Sequence, residues 1–103
     1  MQRQMINIAT NDGGEQIEAY VSPTFPGLAV HRNARFNDLW AATHIASGLG
    51  LSCEFRLRRI AGEFAVQAGR LVDFTKSGEE VEQHVADRPK LRVKLRELVQ
   101  RFK

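Results

Sequence analysis

The segment "LWAATHIASGLGLSCEFRLRRIAGEFAVQAGRLV", Leu39 to Val72, changes its period at its midpoint. Trp40 to Ala46 and Leu49 to Phe55 read as two strands of period two, and Ser47 with Gly48 supplies a two-residue reversal between them. From Leu57 onward the apolar positions recur every 3.6 residues. Leu57, Ile60, Ala61, Phe64, Ala65, Ala68, Leu71 and Val72 form one stripe, which predicts an amphipathic helix over Leu57 to Phe74. Gly62 and Gly69 lie one heptad apart at the edge of that stripe, where each costs about 1 kcal/mol of helix propensity. Close approach to the sheet would explain their presence.

On the N-terminal side, Met5 to Ala9 and Gln16 to Ser22 alternate around Ile6, Ile8, Ile17, Ala19 and Val21, with Asn11, Asp12, Gly13 and Gly14 between them. Residues of these types tolerate positive φ, so the pair reads as a hairpin. Ser22 to Gly27 holds two prolines and a glycine and is a loop. Leu28 to Arg32 is a third strand, and the polar run Asn33 to Asp38 leads into Trp40. On the C-terminal side, Ser77 and Glu80 have the spacing of a capping box and predict a short helix from about Gly78. Pro89 stops or kinks it, and Lys90 to Phe102 resumes a helix with Leu91, Leu95, Leu98 and Phe102 on one side.

The expected architecture is a single α+β domain over residues 1–103. Residues 1–56 form an antiparallel sheet of four or five strands, and residues 57–103 are helical. The long helix should cover one face of the sheet, followed by two further helical segments. A chain of 103 residues, 43% hydrophobic and 26% charged, suits one self-folding domain. Cys53 is the only cysteine, which excludes an intramolecular disulfide. Residues 1–20 lack the unbroken apolar core of a secretory signal, and no apolar run approaches the roughly 20 residues of a membrane span. The expectation is a cytoplasmic protein with no membrane role.

Net charge is +3, unevenly distributed: residues 1–50 carry −1, 51–72 carry +2, 73–87 carry −4, and 88–103 carry +6. Local clusters make the field, so the acidic block (Asp73, Glu79, Glu80, Glu82, Asp87) and the basic tail (Arg88 to Lys103) matter more than the total. On the last helix, taking about 100° per residue from Leu91, Leu95, Leu98 and Phe102 fall within about 40° of it. Lys90, Arg92, Lys94, Arg96, Arg101 and Lys103 lie on both flanks.

The residue types between Leu39 and Phe55 invite chemistry, but their placement argues against it. A serine nucleophile needs a base with an orienting acid; Ser47 falls in the turn, His44 lies three residues back on a strand, and no acid stands between Leu39 and Cys53. Gly48 and Gly50 form a GxG with no helix directly after it, so a phosphate loop is not indicated. Alternation puts Cys53 with Leu49, Leu51 and Phe55 on one face and His44 on the other, and no CxxC or HxxxH is present. No catalytic group, metal or cofactor is therefore expected, and Cys53 reads as a small core residue. His31 and His44 read as solvent-side imidazoles. If Ile17, Ala19, Val21, Leu28, Val30, Ile45, Leu51, Cys53 and Phe55 pack under the helices, then Tyr20, His31, Trp40, His44 and Ser52 share the opposite face. That face could stack bases, or Trp40 could close an end of the core or sit in a dimer contact.

Residues 28–72 run strand, strand, tight turn, strand and amphipathic helix, with Trp40 early in the second strand and "EFRLRRIAGEFA" joining strand to helix. This order resembles AP2 domains and the arm-binding domains of phage integrases. The resemblance implies a three-stranded sheet backed by a helix and a DNA partner. "PGLAVHR" and "THIASG" are similar to stretches of small phage and plasmid proteins, a likeness that carries no activity.

Two functional classes follow. The first is a non-enzymatic nucleic-acid-binding accessory protein that grips DNA or RNA phosphates with Arg56, Arg58, Arg59, Lys90, Arg92, Lys94, Arg96 and Arg101, with Trp40 and His44 beside them. The second is a protein-interaction module, an adaptor or inhibitor. It could be homodimeric through Leu91, Leu95, Leu98 and Phe102, its acidic block pairing with the basic helix of a second subunit.

Overall fold

The computed structural model describes residues 1–10, 13–33, 36 and 38–102. Asn11 and Asp12 of the expected first turn, Ala34, Arg35 and Asn37 of the polar run, and Lys103 of the basic tail lie outside the described residues, as does the side chain of Ser52. Five strands, β1 (Gln2–Ile8), β2 (Glu15–Val21), β3 (Leu28–Arg32), β4 (Trp40–His44) and β5 (Leu49–Phe55), precede three helices, α1 (Arg58–Leu71), α2 (Gly78–Ala86) and α3 (Pro89–Phe102). The strands form one antiparallel sheet in chain order. Each is thus paired with its sequence neighbour, as short connections favour.

The α+β class and the antiparallel sheet agree with the sequence reading, but the middle of the sheet carries buried side chains on both sides. On one side, Leu28, Val30, Ala42, Cys53 and Phe55 pack with Ala61, Phe64, Ala65 and Ala68 of α1 and Leu98 of α3. On the other, Ile6, Ile8, Ala19, Val21 and Ala29 form a second cluster, joined by Ile17 and Ile45. Ile17, Ala19, Val21 and Ile45 therefore do not pack under the helices as expected. The physical reason is curl. β2 and β3 share only two register pairs, Tyr20 with Val30 and Val21 with Ala29. The end of β1 swings round to the β4–β5 turn, where the Ala9 N–H donates to the Gly48 carbonyl at 2.8 Å. Gly48 has φ +72°, and a Cβ there would lie 3.2 Å from Ala9 N, so glycine suits both the turn and the closure.

The β4–β5 turn is longer than expected. β4 ends at His44, and the Gly48 N–H returns to the His44 carbonyl across Ile45–Ser47. A register shift opposite Ala41–Thr43 also bulges β5. His44 pairs with Leu28, so it lies on the same side of the sheet as the Cys53 core rather than opposite it.

Helix α1 packs on β3, β4 and β5, and α3 packs on α1. Leu57 falls outside the helix as its extended N-cap (φ −125°, ψ 141°) and is 51% exposed, so the apolar stripe begins at Ile60. A Cβ on Gly69 would sit 2.7 Å from the Phe25 side chain, and one on Gly62 3.3 Å from the Met1 sulfur. Close approach accounts for both glycines, although the neighbours are a loop and the chain's first residue rather than the sheet. Ser77 caps α2 through the reciprocal Ser77–Glu80 pair, and Pro89 opens α3 at its first position, where a missing N–H costs nothing. Leu91, Leu95 and Phe102 pack against the core beside buried Leu98, so the leucine stripe is engaged by its own domain.

Candidate nucleic-acid interface

The junction of β5 and α1 places three arginines on the surface. Arg56 follows the strand and is exposed, while Arg58 and Arg59 open the helix. The first turn of α1 has no acidic residue and Leu57 supplies no side-chain cap. Cations at a helix N-terminus oppose the macrodipole by about 0.3–1 kcal/mol each, and the first N–H groups are free of a side-chain acceptor. The local electrostatics there favour an anion.

Along the exposed side of α1 runs an open groove of about 740 Å³ lined by Met1, Tyr20, Leu57, Arg58, Arg59, Gly62, Glu63, Val66, Gln67 and Arg70. Three arginines face one carboxylate across an apolar floor. The C-terminal end of α3 reaches the same groove, because Arg101 Nη1 donates to Gln67 Oε1 at 3.4 Å. Lys90, Arg92, Lys94 and Arg96 are exposed on α3. Of these, Lys90 and Lys94 share the flank of Arg101, roughly 60° to 100° from the Leu91 line, whereas Arg92 and Arg96 lie on the other. The structure therefore joins Arg58, Arg59 and Arg101 on one surface, adds Arg70, and sets Arg92 and Arg96 apart. Arg70 was legible as the end of the series Arg59, Glu63, Val66, Arg70, which follows the 3.6 period on the polar side of α1.

Tyr20 forms one end of the groove. It pairs in register with Val30, and Val30 with Ala42, which puts its ring on the α1 side of the sheet. Trp40 pairs with Arg32 and Phe55 on that same side. The two rings come within 6.1 Å between centroids, tilted by 57°. The Arg58 guanidinium lies 4.4 Å above Tyr20 and the Arg32 guanidinium 5.0 Å from Trp40. The result is a ladder of arginine, tryptophan, tyrosine and arginine, both rings half-buried. On its far side a smaller hollow of about 360 Å³ is lined by Glu15, Ile17, Glu18, Tyr20, Arg32, Asn33 and Trp40. Glu18 is paired with Arg3 at 3.3 Å.

The two histidines do not join this surface. His31 is 4% exposed on the opposite side of the sheet; its Nδ1 donates to the Arg32 carbonyl at 2.8 Å, and Nε2 lies 2.7 Å from the Thr43 hydroxyl. His44 is 5% exposed, with Nε2 donating to the Lys76 carbonyl and Nδ1 2.8 Å from Ser47 Oγ. Both imidazoles are interior staples rather than solvent-side groups, and His44 is withdrawn from the candidate interface. Ser47 and His44 do touch, contrary to the sequence reading, because the longer turn folds Ser47 back over β4. The Ser47 oxygen also accepts the Leu49 N–H, and both ring nitrogens of His44 are taken, by Ser47 and by the Lys76 carbonyl. The contact ties the turn to the α1–α2 connection.

The acidic block has a local explanation. Glu79 and Glu80 occupy the first turn of α2, where the helix dipole favours them, and Asp73 accepts from the Thr75 hydroxyl and N–H. Those bonds and, less strongly, Lys76 hold the Asp73 carboxyl below its ordinary value. No described helix is long and apolar enough to cross a membrane. No family model, curated protein or solved structure matches the chain.

Proposed function

We propose that this protein is a small, non-enzymatic nucleic-acid-binding accessory protein of phage or plasmid type. In this reading it acts in the cytoplasm and holds its partner mainly through phosphate contacts. The supporting observation is the meeting of two basic segments that are distant in sequence: Arg58, Arg59 and Arg70 line one groove, and Arg101 joins it through Gln67. Guanidinium groups suit phosphate oxygens because their planar fork can donate two bonds at once. Both faces of β3 are buried along Leu28–His31, so base-edge reading by the central strands forms no part of this proposal.

Binding should be strongly salt-dependent, since each neutralised phosphate releases counterions. For about four phosphates, raising salt from about 50 to about 200 mM should weaken binding by about a hundredfold. Lys94→Ala with Arg101→Ala should flatten the salt slope by about two units, whereas Arg92→Ala with Arg96→Ala, on the far flank, should change it less. Fluorescence anisotropy with labelled single and double strands of DNA and RNA tests this. Absence of binding to all four at about 50 mM salt sinks the reading. A protein partner is then favoured by the apolar floor of the groove, where Met1 and Leu57 are exposed. A homodimer through Leu91, Leu95, Leu98 and Phe102 is disfavoured, because that stripe is packed on the domain core.

A further inference from the structure

We propose that the nucleic acid held here is single-stranded, with bases stacked on Tyr20 and Trp40 and the backbone running over Arg58, Arg59 and Arg70. This rests on the nucleic-acid reading above and narrows it to one class of ligand. The geometry supplies three arguments.

The first is exchange on the rings. At a half-buried ring, a guanidinium lying over the face and a base stacked on it are of comparable worth. Arg58 and Arg32 occupy the ring faces that a base would take. A base can displace the Arg58 guanidinium from Tyr20 because the arginine, which lines the groove beside that ring, gains a charge-assisted bond to a phosphate in exchange. The arginine thus keeps the apolar ring covered without ligand and becomes a phosphate contact with it.

The second is the distribution of charge about the ladder. On the α1 side of Tyr20 the groove carries Arg58, Arg59 and Arg70 against Glu63. On the Trp40 side the hollow carries Glu15 and Glu18 with Arg32. A phosphate backbone is drawn to the first, where cations are in excess, rather than to the second, where Arg32 and the Arg3 that pairs with Glu18 balance the two carboxylates. Tyr20, shared by both, marks the line between backbone and bases.

The third is the shape of the fold. In a duplex the faces of the bases are covered by their neighbours and only edges are offered in the grooves. Reading those edges takes a strand ribbon or a helix free to enter. Here the central strand β3 is buried on both faces along Leu28–His31, so the sheet offers no such ribbon. What the surface offers is π-faces, which suit unpaired bases.

Trp40 is the only tryptophan, so its emission reports directly on the site. The experiment titrates the full chain at about 50 mM salt with oligothymidylate, oligoadenylate and a hairpin duplex of equal phosphate number, following Trp40 fluorescence and anisotropy together. Saturable quenching by the single strands, with weaker binding and no quenching by the duplex, is the expected result. Tyr20→Leu should weaken single-strand binding by about 5- to 150-fold with little effect on the duplex. Tyr20→Phe keeps the ring and should bind as wild type, which separates loss of stacking from loss of fold. Equal affinity for duplex and single strand with unchanged Trp40 emission, or wild-type single-strand binding by folded Tyr20→Leu, overturns the stacking proposal and leaves the nucleic-acid reading standing. If none of the three ligands binds, both are overturned.

Discussion

The two sides of the sheet are closed by different means. On the helix side, Phe55 and Phe64 stack with centroids 5.1 Å apart, Phe102 meets Phe64 at 5.9 Å, and α1 and α3 supply the cover. On the other side the cover is the sheet itself: β1 and β2 bring Ile6, Ile8, Ala19 and Val21 against Ala29, and the polar pair His31–Thr43 lies buried on that same side. The helix side sets aromatic rings among small residues, Ala42, Ala61, Ala65 and Ala68, which let α1 approach the strands. Where one sheet bends onto itself, alanine and β-branched residues fill a thinner space. The difference also leaves the candidate interface at the boundary, where α1 stops short of β2 and the Tyr20 and Trp40 rings remain half open.

The largest expected effect breaks the helix side. Phe64→Ala removes a fully buried ring from the middle of the aromatic cluster and should cost about 3–5 kcal/mol in urea melts. A loss below about 1 kcal/mol would mean that α1 is not the main cover. Ile6→Ala empties the other side and should cost about 2–3 kcal/mol, the low end for its type, because the β1–β2 hairpin can relax inward. Equal losses for the two variants would show the sides to be mechanically alike and sink the comparison. Thr43→Val is nearly isosteric but leaves the His31 Nε2 without its hydroxyl. It should cost about 1–3 kcal/mol at neutral pH, measured by the same melts, and a neutral result would mean that water replaces the hydroxyl.

The smallest effect is a control outside both cores. Because the Asp73 carboxyl is held below its ordinary value by Thr75, its contribution is present above the unfolded value, near about 4, and is lost as pH falls through the folded one. The stability difference between wild type and Asp73→Asn should be small, constant from neutral pH down to about 5, and shrink below about 4. A difference that grows on acidification contradicts the assignment.

Much of the local structure was legible. β3 and β5 have the bounds that alternation implies, and the capping box at Ser77 and Glu80 starts α2 where it should. These features depend on neighbours within a few residues. Legibility failed wherever a residue's fate depended on a distant segment. His31 and His44 looked like solvent-side groups because alternation assigns faces without saying which are covered, and the curl of β1–β2 together with the β5 bulge placed both inside. Leu57 continued the apolar stripe but belongs to an extended cap, since the helix starts only after the chain has left β5. For the interface, Arg58 and Arg59 were visible as a basic junction, while the meeting of Tyr20 with Trp40 needed β3 between them.

The sequence by itself determined the kinds of element, their order and the excess of cations in α1 and α3, because period, caps and composition act over one or two turns. Only the tertiary structure decided that the middle of the sheet carries buried side chains on both sides and that the leucine stripe of α3 is spent on its own domain. It likewise decided that Arg58, Arg59, Arg70 and Arg101 share one surface beside two aromatic rings. Those outcomes depend on how far a sheet bends and where a helix docks, which are set by the summed burial of residues up to a full chain length apart.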